Sequence, residues 1–248
     1  DFRNCNIIHC ISMKRKIIVF SFLLLLFSLD SLFAQKQKIL NLPKYDRQRF
    51  HFGFILGINK TDFVIDRVAS FSLIDSLYTV ESKGTSGFNL QIVTNMRMGE
   101  HFDLRFLPGL AFASRNLVYT FEKGRPLSNV VTKKVESTFV ELPLDVKFKS
   151  ARLNNFRAYV LGGVKYSIDM VSQAKVKAKD KEFVKLQRND YGYEIGVGCD
   201  FYLPMFKFSP EIKMYHGLRN LLVKDDLVYS KSLDGLFSKM FTLSLTFE

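Results

Sequence analysis

Residues 241–247, close to the end of the chain, alternate strictly between apolar and polar side chains. Phe241, Leu243, Leu245 and Phe247 take one set of alternate positions, and hydroxyl residues occupy the positions between them. A β-strand turns successive side chains to opposite faces, so this segment has one apolar face and one polar face without charge. The pattern predicts a strand over residues 239–248.

Seven further segments show the same two-residue period. They cover residues 50–58, 86–97, 101–114, 138–149, 156–170, 191–203 and 206–215. The gaps between the eight segments are long and short in turn, and the long ones cover residues 59–85, 115–136, 171–190 and 216–238. Pro108 interrupts the third segment, which predicts a bulge or a strand end at that point. The order of gaps predicts antiparallel strands in up-and-down sequence.

Charged side chains fall on the face opposite the apolar one. They are Glu141, Asp145, Lys147, Lys165, Asp169, Glu194, Asp200, Glu211 and Lys213. A lipocalin-like barrel would turn such a face to water, whereas outer-membrane barrels have polar interiors, even strand numbers and long loops at one end. Because unpaired buried charge is costly, we expect these nine residues to form an interior ion network.

The fold class that follows is all-β: an eight-stranded antiparallel up-and-down transmembrane β-barrel of the outer-membrane type. Eight strands enclose an interior that is only wide enough to be filled by side chains. The sequence therefore predicts a plugged barrel rather than an open pore.

The start of the chain predicts a cleaved signal peptide. The first methionine is Met13, a basic cluster follows it, and an apolar run over residues 17–29 precedes Ala34. That run is shorter than the roughly 20 residues of a membrane-spanning helix and has the flanks of a secretory signal. We interpret residues 1–12 as upstream translated sequence, 13–34 as the signal, 35–49 as a periplasmic segment and 50–248 as the barrel.

The chain is basic, with a formal net charge of +12. Residues 1–34 carry four basic and two acidic residues, so the expected mature chain has a net charge of +10. An exported chain rarely meets nucleic acid, so we expect outer-membrane lipid and lipopolysaccharide as neighbours. The basic connection 171–190 either contacts lipopolysaccharide phosphates or is a solvated loop, and both interpretations remain open.

Motifs for chemistry are sparse. The chain has no glycine-rich phosphate loop, no metal-ligand spacing and no nucleophile elbow, and Cys199 is the single cysteine after residue 34. We therefore expect no cofactor, no metal site and no catalytic residues. One alternative is a lipid-modifying barrel enzyme, in which His216 would act with Ser230 and Asp234 on an external loop; a solvated loop is the simpler interpretation.

One stretch resembles a known family. Its residues are Asn41, Leu42, Pro43, Lys44, Tyr45 and Asp46, then His51, Phe52, Gly53 and Phe54, then Leu56, Gly57, Ile58 and Asn59, and finally Asp62 and Phe63. This run is similar to the start of the PorT family of outer-membrane barrels of Bacteroidota, and Glu141-Leu142-Pro143-Leu144 resembles the wider barrel family to which PorT belongs. The resemblance implies a part in type IX secretion of surface proteins and, in gliding species, in motility.

The sequence thus favours a non-enzymatic outer-membrane barrel that supports type IX secretion, with both termini in the periplasm. A structural or adhesive barrel is the other alternative. Strand alternation does not require Asn41, Pro43, Tyr45 or Asp46 at the entrance to the first strand. Pro43 stiffens this segment and Tyr45 offers a rigid amphipathic side chain. We expect these four residues either to bind a partner from the secretion machinery or to form a tether that plugs the barrel mouth.

Overall fold

The computed structural model describes residues 39–67, 77–121, 130–171, 186–223 and 233–248. Leu40–Glu248 form one compact unit, which contains all the strands below. Residues 1–12, the expected signal peptide 13–34 and most of the basic connection 171–190 lie outside the described residues.

Nine strands form one antiparallel sheet within the described ranges. They are β1 (Phe50–Arg67), β2 (Leu77–Arg97), β3 (Phe102–Phe106), β4 (Gly109–Phe121), β5 (Val130–Lys149), β6 (Phe156–Asp169), β7 (Asn189–Tyr202), β8 (Lys207–Gly217) and β9 (Leu233–Phe247).

Strands β3 and β4 are two halves of one strand position, because both pair with β2 on one side and with β5 on the other. The strand is interrupted between them at Leu107 and Pro108, because proline has no N–H for a ladder hydrogen bond. Strand β9 pairs with β1 and closes the sheet. The prediction of an eight-stranded up-and-down barrel with an interruption at Pro108 is confirmed.

The two faces of the barrel have opposite polarity. Outward-facing Phe52, Ile92 and Val164 are each more than 60% exposed. The inward face buries a large set of polar and charged side chains, and Arg105 and Lys147 are only 1% exposed. A soluble protein shows the reverse distribution, whereas a barrel whose outer surface meets lipid requires this one.

Four strands run well beyond this apolar belt. Residues 59–67 belong to β1 and residues 77–85 to β2. In the same way β4 continues to Phe121, and β5 begins at Val130. The prediction of long connections was therefore wrong over residues 59–67, 77–85, 115–121 and 130–136, and also over 233–238, where β9 already begins. The polarity of the two faces is reversed here, since Phe63 and Leu117 point inward and are buried while Lys60 and Lys83 are exposed.

An apolar cluster fills the interior of this extension. Its members are Phe63, Val80, Leu117, Tyr119, Leu186, Leu221, Leu222, Leu233 and Leu236. Outside the bilayer the outer surface meets water, so burial of apolar side chains in the interior again stabilises the strands.

The opposite end of the barrel, which we call the mouth, carries the short connections. Residues 98–101 join β2 to β3, residues 150–155 join β5 to β6, and residues 203–206 join β7 to β8. Asn154 adopts a φ of 53° in the second of these turns, a left-handed conformation that asparagine tolerates. Among the described residues, no helix is long and apolar enough to cross a membrane.

Candidate functional site

The nine charged residues expected in the interior are all buried. Each of them is at most 5% exposed. They lie at successive levels between the mouth and the apolar cluster of the extension, because β5, β6, β7 and β8 each contribute one inward position in every two residues.

The level nearest the mouth is built on Lys147 and Asp200. The ammonium of Lys147 donates to both carboxylate oxygens of Asp200, at 2.8 and 2.9 Å, and lies 3.5 Å from the ring centroid of Tyr159. Ser209 donates a further hydrogen bond of 2.7 Å to Asp200. Gly198 leaves room for the Tyr159 ring, because a Cβ at this position would lie 2.4 Å from the phenol oxygen.

The middle level joins Glu211 to two cations. Arg105 donates to Glu211 Oε2 at 2.7 Å, Tyr159 donates to the same oxygen at 2.8 Å, and Lys213 Nζ lies 3.6 Å from Oε1. Lys213 also lies 3.3 Å from Glu194 and 3.9 Å from Asp145. One cation thus faces three carboxylates.

The upper level is centred on Lys165. It donates to Glu141 Oε1 at 2.8 Å, and its ammonium lies 3.9 Å from Glu194 and 4.0 Å from the ring centroid of Tyr215. A cavity of about 10 Å³ lies beside these groups, which is about the space of one water molecule.

Asp169 stands apart from the other eight residues of the network. It accepts a hydrogen bond of 2.9 Å from the backbone N–H of Val171 at the end of β6. Within the described residues it forms no ion pair with the remaining eight. The geometry therefore joins eight of the nine into paired levels and leaves Asp169 at the rim of the extension.

The interior also contains charged residues that the sequence analysis left out of the network. Asp103 and Arg105 lie on the inward face of β3, and Lys149 donates to Asp103 at 2.6 Å. Arg115, expected in a loop, is buried in β4, where it donates to Ser137 and Ser238. The alternation in residues 101–114 marks Asp103 and Arg105, but no signal marks Arg115, because it lies in the predicted connection 115–136.

A second candidate site covers the mouth. Residues 41–49, which we call the mouth strap, contain a short 3₁₀ helix, Tyr45–Arg47, and lead into β1. Asn41 is bound near the β6–β7 pair, which lies across the eight-position barrel from β1. The strap therefore crosses the mouth instead of following its edge.

Asn41 fixes the far end of the strap. Its backbone N–H donates to Asn155 Oδ1 at 2.9 Å, its side-chain amide donates to the carbonyl of Tyr202 at 2.9 Å, and its own carbonyl accepts from Arg152. The next residue, Leu42, has a φ of 51°, a conformation that is unfavourable for a branched side chain. These contacts hold the backbone there.

Tyr45 fixes the centre of the strap. Its phenol donates to Glu248 Oε2 at 2.5 Å, and its ring stacks on His51 at a centroid distance of 3.9 Å. Glu248 also forms an ion pair with Lys207. Burial and the negative charge of Glu248 raise the pKa of Tyr45 far above its ordinary value, so the phenol keeps the proton that it donates.

Asp46 binds two arginines beside the β5–β6 turn. Its carboxylate lies 3.2 Å from Arg152 Nη1 and 3.1 Å from Arg157 Nη1, and the phenol of Tyr202 donates to it at 3.3 Å. Burial acts to raise the pKa of Asp46, but the positive charges of Arg157 and Arg152 outweigh it and hold the pKa below its ordinary value. Asp46 is therefore charged at neutral pH.

The expected partner-binding residues thus serve the barrel itself. The polar groups of Asn41, Tyr45 and Asp46 are directed into the mouth and bound there, while Pro43 is exposed. This geometry agrees with a tether that plugs the mouth. Binding of a partner by these four residues stays a prediction.

The alternative catalytic group is not assembled in the described part of the chain. His216 on β8 lies opposite Lys239 on β9, and Asp234 is five residues before Lys239 along β9. At about 3.3 Å per residue, His216 and Asp234 are roughly 16 Å apart, beyond hydrogen-bond reach. Ser230 lies outside the described residues.

A closed antiparallel barrel with an apolar outer belt and a charged, filled interior defines an integral outer-membrane protein. Residues 33–223 match the family described as outer membrane protein beta-barrel domain. The chain belongs to this family and is an outer-membrane β-barrel protein.

Solved structures give a more distant likeness. Neisserial surface protein A matches with 10% identity and a TM-score of 0.40 over 80% of this chain and 98% of its own. OprG from Pseudomonas aeruginosa matches with 12% identity and a TM-score of 0.43, over 81% of this chain and 94% of its own. Ail, the attachment invasion locus protein of Yersinia pestis, matches with 12% identity and a TM-score of 0.36, over 81% of this chain and 99% of its own. A comparison with curated proteins found no match.

Proposed function

We propose that this chain is a non-enzymatic outer-membrane barrel that supports type IX secretion of surface proteins through contacts at its mouth. The observation that carries the proposal is the filled interior. Lys147, Arg105, Lys213 and Lys165 form ion pairs at successive levels, so the lumen has no room for a translocating polypeptide. A role in export must then be exerted from the surface.

The mouth strap supports a role at this end. The run that resembles the PorT family begins at Asn41, and its first six residues lie in the strap. Pro43 and Lys44 are exposed there, whereas Tyr45 and Asp46 hold the strap in place. A fixed surface of this kind suits a contact with another component of the secretion machinery, since little order must be gained on binding.

We place the mouth in the periplasm as part of this proposal. Outer-membrane barrels have short periplasmic turns and longer external connections. The connections at the mouth are short, and the strap and Glu248 lie at the same end. Lipid then surrounds the apolar belt, and lipopolysaccharide faces the extended strands, where Lys134 is exposed.

Deletion of the gene in its native host tests the proposal. Surface proteins that use type IX secretion should then be retained inside the cell, and wild-type chain supplied in trans should restore them. Assembly of unrelated outer-membrane barrels should be unchanged, which separates a specific role from general envelope damage. Normal export in the deletion strain contradicts the proposal.

A structural or adhesive role is the second candidate, and the extended strands favour it. Strands β1, β2, β4 and β5 project beyond the belt around an apolar core, which makes the outer end rigid. For this candidate the deletion strain would export surface proteins normally but lose attachment or envelope integrity.

A further inference from the structure

The two faces of the mouth strap differ in chemistry. In the 3₁₀ helix Tyr45–Arg47, the N–H of Arg47 donates to the carbonyl of Lys44 at 3.1 Å. A 3₁₀ helix has three residues per turn, so Lys44 and Arg47 lie side by side. Both are exposed, while Tyr45 and Asp46 between them point into the mouth.

Two further bases lie beside this outward face. Arg49 is exposed, and its carbonyl accepts a hydrogen bond of 2.8 Å from the N–H of Arg97 at the end of β2, whose half-buried side chain donates from Nε to the carbonyl of Gly99 at 3.0 Å. Within the described residues, none of the four bases has a carboxylate within 4 Å. Glu100 is the exposed acid in the neighbouring β2–β3 turn. The outward face therefore carries a positive charge that the barrel itself does not neutralise.

The position of this face decides between two kinds of anionic partner. Lys44 and Arg47 lie between Asn41, bound near β6 and β7, and β1 on the opposite side of the mouth. They therefore face the aqueous compartment outside the mouth, away from the perimeter of the barrel that contacts lipid. Phospholipid head groups surround the perimeter, whereas a polypeptide can lie across the mouth.

We propose that Lys44 and Arg47, with Arg49 and Arg97 beside them, form a docking surface for an acidic segment of a periplasmic polypeptide. The inference rests on the proposed function, because it takes the mouth as the contact site and specifies the chemistry of the partner. Each exposed ion pair contributes little, so the segment must present several carboxylates at once. Complementary charge chiefly raises the rate of association, and salt weakens it.

A binding measurement on the purified full-length chain tests this surface. The chain is placed in lipid nanodiscs of zwitterionic phosphatidylcholine, and a fluorescein-labelled peptide of ten glutamates is titrated by fluorescence anisotropy. Lys44→Glu with Arg47→Glu should weaken binding by about tenfold or more, because two attractions become repulsions. Higher sodium chloride should weaken binding to the wild-type chain.

The matched control is Lys60→Glu with Lys83→Glu. This pair makes the same change in net charge at two exposed positions of the extension, at the far end of the barrel. It should leave peptide affinity within about twofold of wild type. Equal affinities for the two double variants would mean that the peptide senses only overall charge, and would overturn the inference.

Lipid composition and export complete the test. If anionic phosphatidylglycerol in the nanodiscs abolishes peptide binding to the wild-type chain, lipid head groups occupy the surface and the inference fails. In the deletion strain, the Lys44/Arg47 variant should restore export poorly and the Lys60/Lys83 variant fully. Full restoration by both overturns the inference but leaves the proposed function, whereas normal export in the deletion strain itself removes the proposed function.

Discussion

The phenol of Tyr45 donates a 2.5 Å hydrogen bond to the carboxylate of Glu248, which links the segment before β1 to the residue after β9. The same two strands pair along the seam that closes the barrel, where Phe54 opposes Phe247. Glu248 also binds Lys207 at the start of β8. The strap is therefore fastened to the closing seam, and Asp46 fastens it again to Arg152 and Arg157 beside β6.

The first prediction concerns these two anchors. Replacing Tyr45 and Asp46 together by alanine should loosen the centre of the strap, because it removes the bond to Glu248 and both arginine contacts, while Asn41 still fixes the far end. The ion pairs deeper in the lumen do not involve either residue, so the barrel should still insert and remain heat-modifiable on gels. Trypsin should then cleave at Lys44 and Arg47 faster than in wild type, because cleavage requires local opening. Under the proposed function, export of surface proteins should fall.

Tyr45→Phe is the graded control for this experiment. It keeps the ring on His51 and removes only the hydrogen bond to a charged group, typically about 1.5–3 kcal/mol. Trypsin cleavage should therefore rise less than in the double variant. A double variant whose strap resists trypsin like the wild type would contradict the assigned anchors.

The second prediction concerns pH. Burial acts to raise the pKa of Glu248, but Lys207 and other cations outweigh it and lower the pKa to about 2, and the pKa of Asp46 is also below its ordinary value. A carboxylate with a lowered folded-state pKa stabilises the fold above its unfolded pKa, and this contribution is lost as the pH falls through the folded value. The strap should stay fixed above about pH 4.5 and loosen between about pH 4.5 and 2.

A nitroxide label at exposed Gln48, in a chain whose native cysteines are replaced by alanine, measures this release by electron paramagnetic resonance. Label mobility should be low at neutral pH and rise as the pH falls. Adding Asp46→Asn should raise mobility already at neutral pH and make the acid-induced change smaller. Constant mobility down to pH 2 would show that these carboxylates do not control the strap.

The third prediction concerns the two faces of β9. Leu243 points outward and is 53% exposed, whereas its neighbour Thr242 points inward and is 8% exposed. Leu243→Arg should cost roughly 2–4 kcal/mol if the position lies near the bilayer midplane. Thr242→Arg should instead be limited by the space and pairing in the interior. Folding titrations into lipid vesicles compare the two, and equally mild effects would contradict the assignment of faces.

The alternation that places Leu243 and Thr242 on opposite faces explains why the belt could be predicted from sequence. The same period continues in residues 59–67, but there the inward positions become apolar, as at Phe63, and the outward ones charged, as at Lys60. Each face changes polarity where the strand leaves the lipid. A prediction that follows one face by its hydrophobicity stops at this change, so it assigns the extension to a loop.

The mouth strap had no periodic signal at all. Asp46 meets Arg152 and Arg157, and Tyr45 meets Glu248, at separations of more than 100 residues along the chain. Such pairs come together only because the barrel closes and brings the β5–β6 turn and the end of β9 to one mouth. Sequence reasoning could mark these residues as unexplained by alternation, but it could not distinguish an internal anchor from a contact with a partner.

The last prediction is the absence of large channels. At the middle level Arg105 and Glu211 are joined at 2.7 Å, with Tyr159 and Lys213 against the same carboxylate. Lys147 and Asp200 fill the level below, between this group and the mouth. The purified chain should therefore give no large, steady conductance in planar bilayers.

The variant with Tyr45 and Asp46 replaced by alanine shows whether the ion pairs or the strap block ion flow through the barrel. Because the ion pairs block the lumen further inside the barrel than the strap, loosening the strap should leave the conductance as low as in wild type. Large conductance steps in the variant alone would show that the strap is the barrier and that ions pass the interior network. Porin-sized steps in the wild-type chain would contradict the filled lumen and reopen direct passage of cargo through the barrel.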